Sequence, residues 1–191
     1  LTAFCHVLTE SNTTHKSVPM LMSSVSAHDF NSIYQQKSII TTFKEAGYQT
    51  AFFSNQRYNH SFIDFFGKEA DTCNFIKENV KHANSPKQFN VLHTYGSHFN
   101  YRELYPSENS FFLPDFPVDA EVKYKDNLVN AYDNSIRYTD DFLARLIGML
   151  QEQNTDAAML YSSDHGEDIF DDSRRLFLHA SPVPSYYQIH V

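Results

Sequence analysis

The sequence lacks an excess of basic residues, a long apolar run and a cysteine framework, and each absence excludes a class of protein. Its formal net charge is −8, whereas proteins that bind DNA or RNA usually carry a basic surface. No stretch approaches the roughly 20 apolar residues that a helix needs to cross a bilayer, and the sequence from Leu1 onward shows no basic segment followed by an apolar run. Two cysteines, Cys5 and Cys73, match no metal-binding spacing. They can pair in an oxidising compartment, but we expect two buried thiols.

What is present indicates one globular domain. Of the 191 residues, 41% are hydrophobic, which is enough for one sizeable core. A chain of this length is too short to promise two domains. The chain begins at Leu1 and ends in a strand-like run at 186–191. We therefore interpret residues 1–191 as a single, partial domain of a longer protein, truncated at the N-terminus, and we leave open a truncation at the C-terminus.

Short apolar runs alternate with helical periodicity along the chain. This alternation predicts an α/β fold in which a mostly parallel central sheet is flanked by helices in three layers. Strands are predicted over residues 3–8, 50–54, 89–93 and 157–162. Helices are predicted from Ser17 and over residues 39–46, 71–83 and 120–153, with a surface loop at 97–117.

Acidic and histidine side chains follow the last predicted strand. Residues 163–167 read Ser-Asp-His-Gly-Glu, and His179 comes soon after. Carboxylates and imidazoles suit zinc, and adjacent ligands such as Asp164 and His165 require a chain that leaves regular structure. Gly166 would permit the sharp turn. The alternative is a polar loop in which Asp164 caps a neighbouring segment and His165 is incidental.

Two further runs carry candidate chemistry. His93 and His98 lie at the end of another predicted strand, an edge where ligands bind in open α/β sheets; His93 alone would also fit a supporting role. In the run 11–19, Thr14 precedes a predicted helix start, where free amide groups favour phosphate. A threonine hydroxyl becomes a useful nucleophile when zinc lowers its pKa. Polar loops of this kind are also ordinary helix caps.

Together these runs, in this order, resemble the lipid A phosphoethanolamine transferases of the alkaline phosphatase and sulfatase superfamily, which include the mobile colistin (polymyxin) resistance enzymes. The matching segments span nearly the whole chain: 11–19, 93–98, 130–134, 139–142, 163–167 and His179. Their combination is far more specific than any one segment.

The resemblance implies a role for each matched residue. Thr14, five residues before Pro19, corresponds to the nucleophile, and Thr13 is the alternative if that register is wrong. Asp164 and His165 correspond to ligands of a zinc ion that also binds the nucleophile's oxygen. The remaining matches fall at positions that bind substrate phosphate or a second zinc, or that lie near the substrate: Glu167, His98, His179, His93 and, with a less certain register, Asn55.

The resemblance also implies what the rest of the protein contributes. The family's zinc site uses an additional acidic residue upstream of Leu1, so the isolated chain is expected to have weakened zinc affinity and activity. Membrane helices would anchor the protein, with this domain at the periplasmic face of the inner membrane. The expected reaction transfers phosphoethanolamine from phosphatidylethanolamine to lipid A or another glycan through a covalent intermediate on Thr14.

Other functions remain open at this level. A related phosphatase, phosphodiesterase or glycerol-phosphate transferase would use the same residues, and a metal-free, inactive fragment would keep only the fold. Sulfate ester hydrolysis is disfavoured, because the Cys/Ser-x-Pro-x-Arg pattern that precedes formylglycine does not occur in the sequence.

Overall fold

The computed structural model describes residues 2–56, 60, 62–75, 85–153 and 156–191. The chain forms two compact units. The first comprises Leu1–Tyr95, Asp164–Gly166 and Ala180–Val191, and the second comprises Gly96–Ser163 and Glu167–His179. In the first unit, the regular elements are α1 (Thr14–Met22), a 3-10 helix (Ala27–Gln35), α2 (Ile39–Glu45), β1 (Gln49–Ser54), α3 (Phe62–Gly67), β2 (Thr72–Phe75), β3 (Gln88–His93) and, near the C-terminus, a short helix (Tyr186–Ile189).

The first unit is built on a three-stranded parallel sheet in the order β2-β1-β3. Phe52 in the central strand lies opposite Cys73 on one side and Val91 on the other. Its side chain is fully buried in a core formed by these residues: Val18, Met22, Val25, Ile33, Ile40, Phe52, Ile63, Phe66 and Ala70. The predicted strands at 50–54 and 89–93 are confirmed, each beginning one residue earlier.

The helices of the first unit follow local signals. Ser38 caps α2, because its hydroxyl accepts hydrogen bonds from the amides of Ile40 and Thr41, and Gly47 with φ +83° follows the helix. In contrast, α1 begins at Thr14, three residues before the predicted start at Ser17. The carbonyl of Thr13 accepts the amides of residues 16 and 17 and so closes this earlier turn.

The second unit is organised around a long helix, α4 (Lys125–Glu152), which the sequence predicted as 120–153. It packs against a 3-10 helix (Tyr101–Leu104) and against β4 (Asp168–Ile169), which pairs with β5 (Phe177–Leu178) in a small antiparallel sheet. Further 3-10 turns span Ser107–Asn109 and Val122–Tyr124. Tyr101, Leu128, Ala131 and Ile169 form the core of this unit.

A buried amide ties the loop at 97–117 to the long helix. Asn134, fully buried in α4, accepts the amides of Phe111 and Phe112 and donates to Oδ2 of Asp115. Because every one of these groups would be costly to bury without a partner, the contacts specify one conformation of the loop. The predicted surface loop is therefore held at a fixed place on α4.

Several predicted elements are wrong. Residues 3–8 form an isolated bridge at Leu8 instead of a strand, and 157–162 form no strand. The run at 186–191 forms α5 (Tyr186–Ile189), because Ser185 and Gln188 make a capping box that selects a helix. The predicted helix at 71–83 begins instead as β2, and its remainder lies outside the described residues.

The cysteine expectation is corrected in part. Both thiols are free; Cys5 is exposed, and Cys73 is half-buried in β2. Burial raises the pKa of the Cys73 thiol above its ordinary value. Of the helices within the described ranges, none is both long enough and apolar enough to cross a membrane.

Candidate functional site

The first unit brings Thr14 and His165 into direct contact. Thr14 is the first residue of α1, and its Oγ1 lies 3.0 Å from Nε2 of His165. The other ring nitrogen, Nδ1, donates to the carbonyl oxygen of Gly166 at 2.9 Å. A carbonyl only accepts, so Nδ1 carries the proton and the lone pair of a neutral ring lies on Nε2. The nitrogen beside Thr14 can therefore bind a metal ion or accept a proton.

Asp164 lies in the same cluster. Its Oδ2 is 3.5 Å from Nε2 of His165 and accepts a hydrogen bond from the hydroxyl of Ser17 at 3.0 Å. The His165 side chain is 5% exposed and that of Asp164 is 25% exposed. We call Thr14, Ser17, Asp164 and His165 the nucleophile cluster. It brings together two hydroxyls, one imidazole and one carboxylate.

The spacing of these donor atoms suits zinc. Ligand atoms 2.0–2.1 Å from a tetrahedral zinc lie roughly 3.3 Å from one another, and the contacts of His165 Nε2 with Thr14 and Asp164 are 3.0 Å and 3.5 Å. Within the described residues, no three His, Cys, Asp or Glu side chains gather into a metal site. The nucleophile cluster thus offers two such side chains and the threonine oxygen, and a catalytic zinc usually has three protein ligands besides its reactive position.

Buried side-chain amides anchor the segment just before Thr14. Asn12, 8% exposed, donates through Nδ2 to the carbonyl of Ser181 at 3.0 Å and to Oε1 of Gln188 at 3.3 Å. Gln188 is fully buried in α5, and its backbone carbonyl accepts the amide of Gly166 at 3.0 Å. The short helix α5 therefore connects the segment just before Thr14 to the segment that carries His165.

Close packing against neighbouring backbone requires glycine at position 166. The prediction that Gly166 is there to permit a sharp turn is corrected. Its φ is not positive, unlike those of Gly47 and Gly96. A Cβ at Gly166 would lie 2.0 Å from the carbonyl oxygen of Tyr187 and 2.8 Å from that of His190. The backbone of α5 passes so close that only glycine fits beside His165.

His93 and Asn55 lie where β3 and β1 end. The hydroxyl of Ser54 contacts Nδ1 of His93 at 3.0 Å, and the imidazole stacks on Phe52. Burial lowers the pKa of His93, and the negative charges of Asp164 and Asp64 partly oppose this effect. Asn55 is exposed, and its Oδ1 accepts the amide of Tyr95 at 2.6 Å. These contacts give His93 a fixed, half-buried place at the sheet edge.

The second unit gathers another set of polar side chains. Glu167 accepts a hydrogen bond from the hydroxyl of Tyr101 on one carboxylate oxygen, and its other oxygen lies 3.2 Å from Nδ1 of His179. The ring of His179 meets the ring of His98 edge-on, with centroids 5.4 Å apart. Nδ1 of His98 donates to the carbonyl of Phe99 at 2.7 Å. We call Tyr101, Glu167, His179 and His98 the histidine–glutamate cluster.

Burial and charge keep the tyrosines beside Glu167 protonated. Desolvation, followed by the negative charge of Glu167, raises the pKa of Tyr101 far above its ordinary value. The same causes raise the pKa of Tyr132 to about 12, and its ring packs edge-on against that of Tyr101. Both hydroxyls therefore act only as neutral hydrogen-bonding groups near neutral pH.

The structure thus gathers predicted site residues into one group in the first unit and another in the second unit. Thr14, Asp164 and His165 come together, as do His98, Glu167 and His179. The residues that the sequence analysis missed are supports: Ser17, Asn12, Gln188 and Tyr101. Ser17 stands in the motif before Pro19, and Gln188 follows Ser185 at capping-box spacing, so a signal existed for these two. Nothing local distinguishes Tyr101 among the 12 tyrosines.

Comparison with known proteins identifies the family. A family model for sulfatases matches residues 1–190, which covers both units. The chain belongs to the sulfatase family. This finding confirms the resemblance to that superfamily and the α/β fold that the sequence predicted.

Several similar proteins are named as phosphoethanolamine transferases. The Kdo(2)-lipid A phosphoethanolamine 7''-transferase of Escherichia coli K12 is 37% identical over 97 residues, covering 50% of this chain and 16% of that protein. Phosphoethanolamine transferase EptC of the same organism is 24% identical over 199 residues, covering 90% of this chain and 34% of that protein. The chain therefore spans about a third or less of the length of these relatives.

Solved structures support the same fold. The C-terminal periplasmic domain of EptC from E. coli, crystallised in complex with zinc, superposes with a TM-score of 0.85 at 21% identity, covering 99% of this chain and 60% of that one. The corresponding domain of EptC from Campylobacter jejuni gives a TM-score of 0.76 at 26% identity, covering 96% of this chain and 64% of that one. This similarity supports the alkaline phosphatase-like fold of the sulfatase family.

Proposed function

We propose that the protein transfers phosphoethanolamine from phosphatidylethanolamine to lipid A or another glycan, with Thr14 as nucleophile. The observation that carries the proposal is the contact of Thr14 Oγ1 with Nε2 of His165, beside the carboxylate of Asp164. A hydroxyl held against an imidazole lone pair at the first residue of a helix is placed to attack phosphorus. The names of the relatives support phosphoethanolamine as the transferred group and lipid A as an acceptor.

Zinc is the cofactor that we propose for this site. Thr14, Asp164 and His165 would hold it, since their donor atoms have the spacing described above. Zinc bound there would lower the pKa of the threonine hydroxyl and neutralise charge on the phosphoryl oxygens. Ser17 keeps Asp164 oriented, and the carbonyl of Gly166 keeps the lone pair of His165 directed at the site.

The proposed reaction has two steps. In the first, Oγ1 of Thr14 loses its proton and bonds to phosphorus, and the bond from phosphorus to the diacylglycerol oxygen breaks. Diacylglycerol leaves after taking up a proton. In the second, an acceptor hydroxyl or phosphate oxygen bonds to phosphorus, the bond from phosphorus to Oγ1 of Thr14 breaks, and Oγ1 takes up a proton. We assign proton transfer and phosphate binding to His98, His179 and His93, and substrate contacts to Glu167 and Asn55.

Mass spectrometry of the full-length protein tests the nucleophile. After incubation with phosphatidylethanolamine and no acceptor, the peptide containing Thr14 should gain one phosphoethanolamine group. Thr14→Ala should abolish both this adduct and transfer. Thr13→Ala is the matched control, because Thr13 precedes the helix and makes no side-chain cap. An adduct that persists in Thr14→Ala and disappears in Thr13→Ala would assign the nucleophile to the neighbouring position.

The donor and the location are separate parts of the proposal. Parallel assays with phosphatidylethanolamine, phosphatidylglycerol and a simple phosphodiester should show transfer from the first only. Hydrolysis without transfer would favour a related enzyme: a phosphomonoester product indicates a phosphodiesterase, and free phosphate indicates a phosphatase. We further propose that residues 1–191 act as part of one catalytic domain at the periplasmic face of the inner membrane. Fractionation of cells that express the full-length protein tests this placement.

A further inference from the structure

The carboxylate of Glu167 is positioned to support a histidine. Its side chain is only 6% exposed, whereas that of His179 is 19% exposed. One of its oxygens accepts from Tyr101 and the other faces Nδ1 of His179. A buried carboxylate with partners on both oxygens is held in one orientation. The more accessible group of the pair is His179.

The contact also fixes the tautomer of His179. An ionised carboxylate only accepts hydrogen bonds, so Nδ1 of His179 must carry the proton that it shares with Glu167. In a neutral ring the lone pair then lies on Nε2. Carboxylates that orient histidines in this way raise the basicity of the far nitrogen and fix the direction of the ring.

Tyr101 is what holds Glu167 in this orientation. Its side chain is fully buried between the rings of Phe99 and Tyr132, both of which it meets edge-on. It belongs to a 3-10 helix that packs against α4. Packing of the ring fixes the position of the hydroxyl oxygen, and this oxygen donates to Glu167.

We propose that Tyr101 is a positioning residue that acts through Glu167 to present Nε2 of His179 to the substrate phosphate or the acceptor. This inference rests on the proposed transferase function and deepens it. It assigns Glu167 the role of supporting His179, in place of a direct contact with the substrate. The chain Tyr101, Glu167, His179 lies wholly within the second unit.

Two measurements test the chain of contacts. The first is the tautomer of His179, read from the imidazole nitrogen shifts of full-length protein labelled with 15N at histidine and assigned with His179→Asn. The second is steady-state transfer, with kcat and KM determined separately. Tyr105→Phe is the matched control, since the hydroxyl of Tyr105 donates to Asp115 at 2.8 Å and so also serves a buried carboxylate of this unit.

The expected result is specific to the Tyr101 hydroxyl. Tyr101→Phe and Glu167→Gln should both reduce the fraction of His179 that is protonated on Nδ1, and both should lower kcat about 10- to 100-fold, with KM within about twofold of wild type. Tyr105→Phe should leave the tautomer unchanged. Because Glu167 would be a direct substrate ligand under the alternative assignment, that assignment predicts a raised KM in Glu167→Gln and no tautomer change in Tyr101→Phe.

The outcomes separate this inference from the proposed function. An unchanged His179 tautomer in Tyr101→Phe overturns the inference whatever the activity. A changed tautomer with an unchanged kcat also overturns it, because His179 would then be oriented to no purpose in transfer. If Tyr101→Phe changes the His179 tautomer but the wild-type protein shows no transfer, the positioning of His179 by Tyr101 and Glu167 stands, and the proposed transferase function is rejected.

Discussion

Substituting Gly166 by alanine should disturb the nucleophile cluster more than any other small change beside it. The new Cβ would lie 2.0 Å from the carbonyl oxygen of Tyr187, and ordinary van der Waals contact begins at 3.4 Å. One backbone segment must therefore retreat by roughly 1.4 Å, the difference between these distances. Because both partners are backbone, no side chain can rotate away to relieve the contact.

The size of the effect follows from what this movement breaks. Retreat of α5 lengthens the bond from the Gly166 amide to the Gln188 carbonyl, now 3.0 Å, and the bond from Asn12 to Gln188, now 3.3 Å. Overpacking of this kind costs about 1–3 kcal/mol, which lowers Tm by about 2–12 °C for a chain of this size. A misplacement of about 1 Å at His165 should lower kcat about 100-fold.

Gly148→Ala provides the control. Gly148 lies within α4, and a Cβ there would meet nothing within 4 Å. The same chemical change should raise stability by about 0.5–1 kcal/mol, because alanine loses less backbone entropy than glycine in a helix. Thermal unfolding and denaturant titration of both variants measure the contrast. A Tm for Gly166→Ala equal to or above wild type would refute the argument from close packing.

Three further predictions concern support, charge and metal. Ser17→Ala should lower zinc affinity or transfer about 10- to 100-fold, since it removes the hydroxyl that contacts Asp164 and the carbonyl of Thr13. Ser23→Ala should not, since the hydroxyl of Ser23 bonds only to the backbone of Pro19 and Val25; equal activities of the two variants would contradict this role for Ser17. Burial lowers the pKa of His93 below its ordinary 6.5. The unfolded chain therefore binds the proton first, and this group reduces stability as the pH falls from 6.5 to the lowered value, with no further loss below it. His93→Gln should flatten that part of the stability curve in denaturant titrations, and an unchanged slope would count against the shift. Chelation should abolish transfer by the full-length protein and added zinc should restore it; full activity in the chelator would contradict zinc dependence.

Sequence patterns predicted the elements whose signals are local. The strand at 50–54, the strand at 89–93 and the helix at 120–153 carry either a compact apolar run or sustained helical periodicity, and all three are present. The strand predicted at the end of the chain is wrong because two local signals disagree there. Its tyrosines and isoleucine favour a strand by propensity, but the Ser185 capping box with Gln188 favours a helix. Here the local cap decided the conformation.

The site was predictable only where a side chain carries its own chemical signature. Asp164, His165 and Thr14 stand in short motifs. In the fold, Nε2 of His165 lies 3.0 Å from Oγ1 of Thr14 and 3.5 Å from Oδ2 of Asp164. Ser17 lies in the run 11–19 that also contains Thr14, but its contact with Asp164 joins residues 147 positions apart. Asn12 and Gln188 are buried amides that meet across 176 positions of sequence, and no local pattern reports such a contact.

The family assignment and the proposed chemistry answer different questions. Membership of the sulfatase family rests on the fold and on a match to residues 1–190, and a fold by itself does not determine a reaction. Sulfatases that use formylglycine need a Cys or Ser in a Cys/Ser-x-Pro-x-Arg setting, which the sequence lacks. Its nucleophile cluster instead presents the unmodified hydroxyl of Thr14 to His165 and Asp164. The proposed attack of Thr14 on a phosphodiester would leave a phosphothreonine ester, which either an acceptor hydroxyl or water can resolve. The choice between transfer and hydrolysis therefore depends on what the site binds as acceptor.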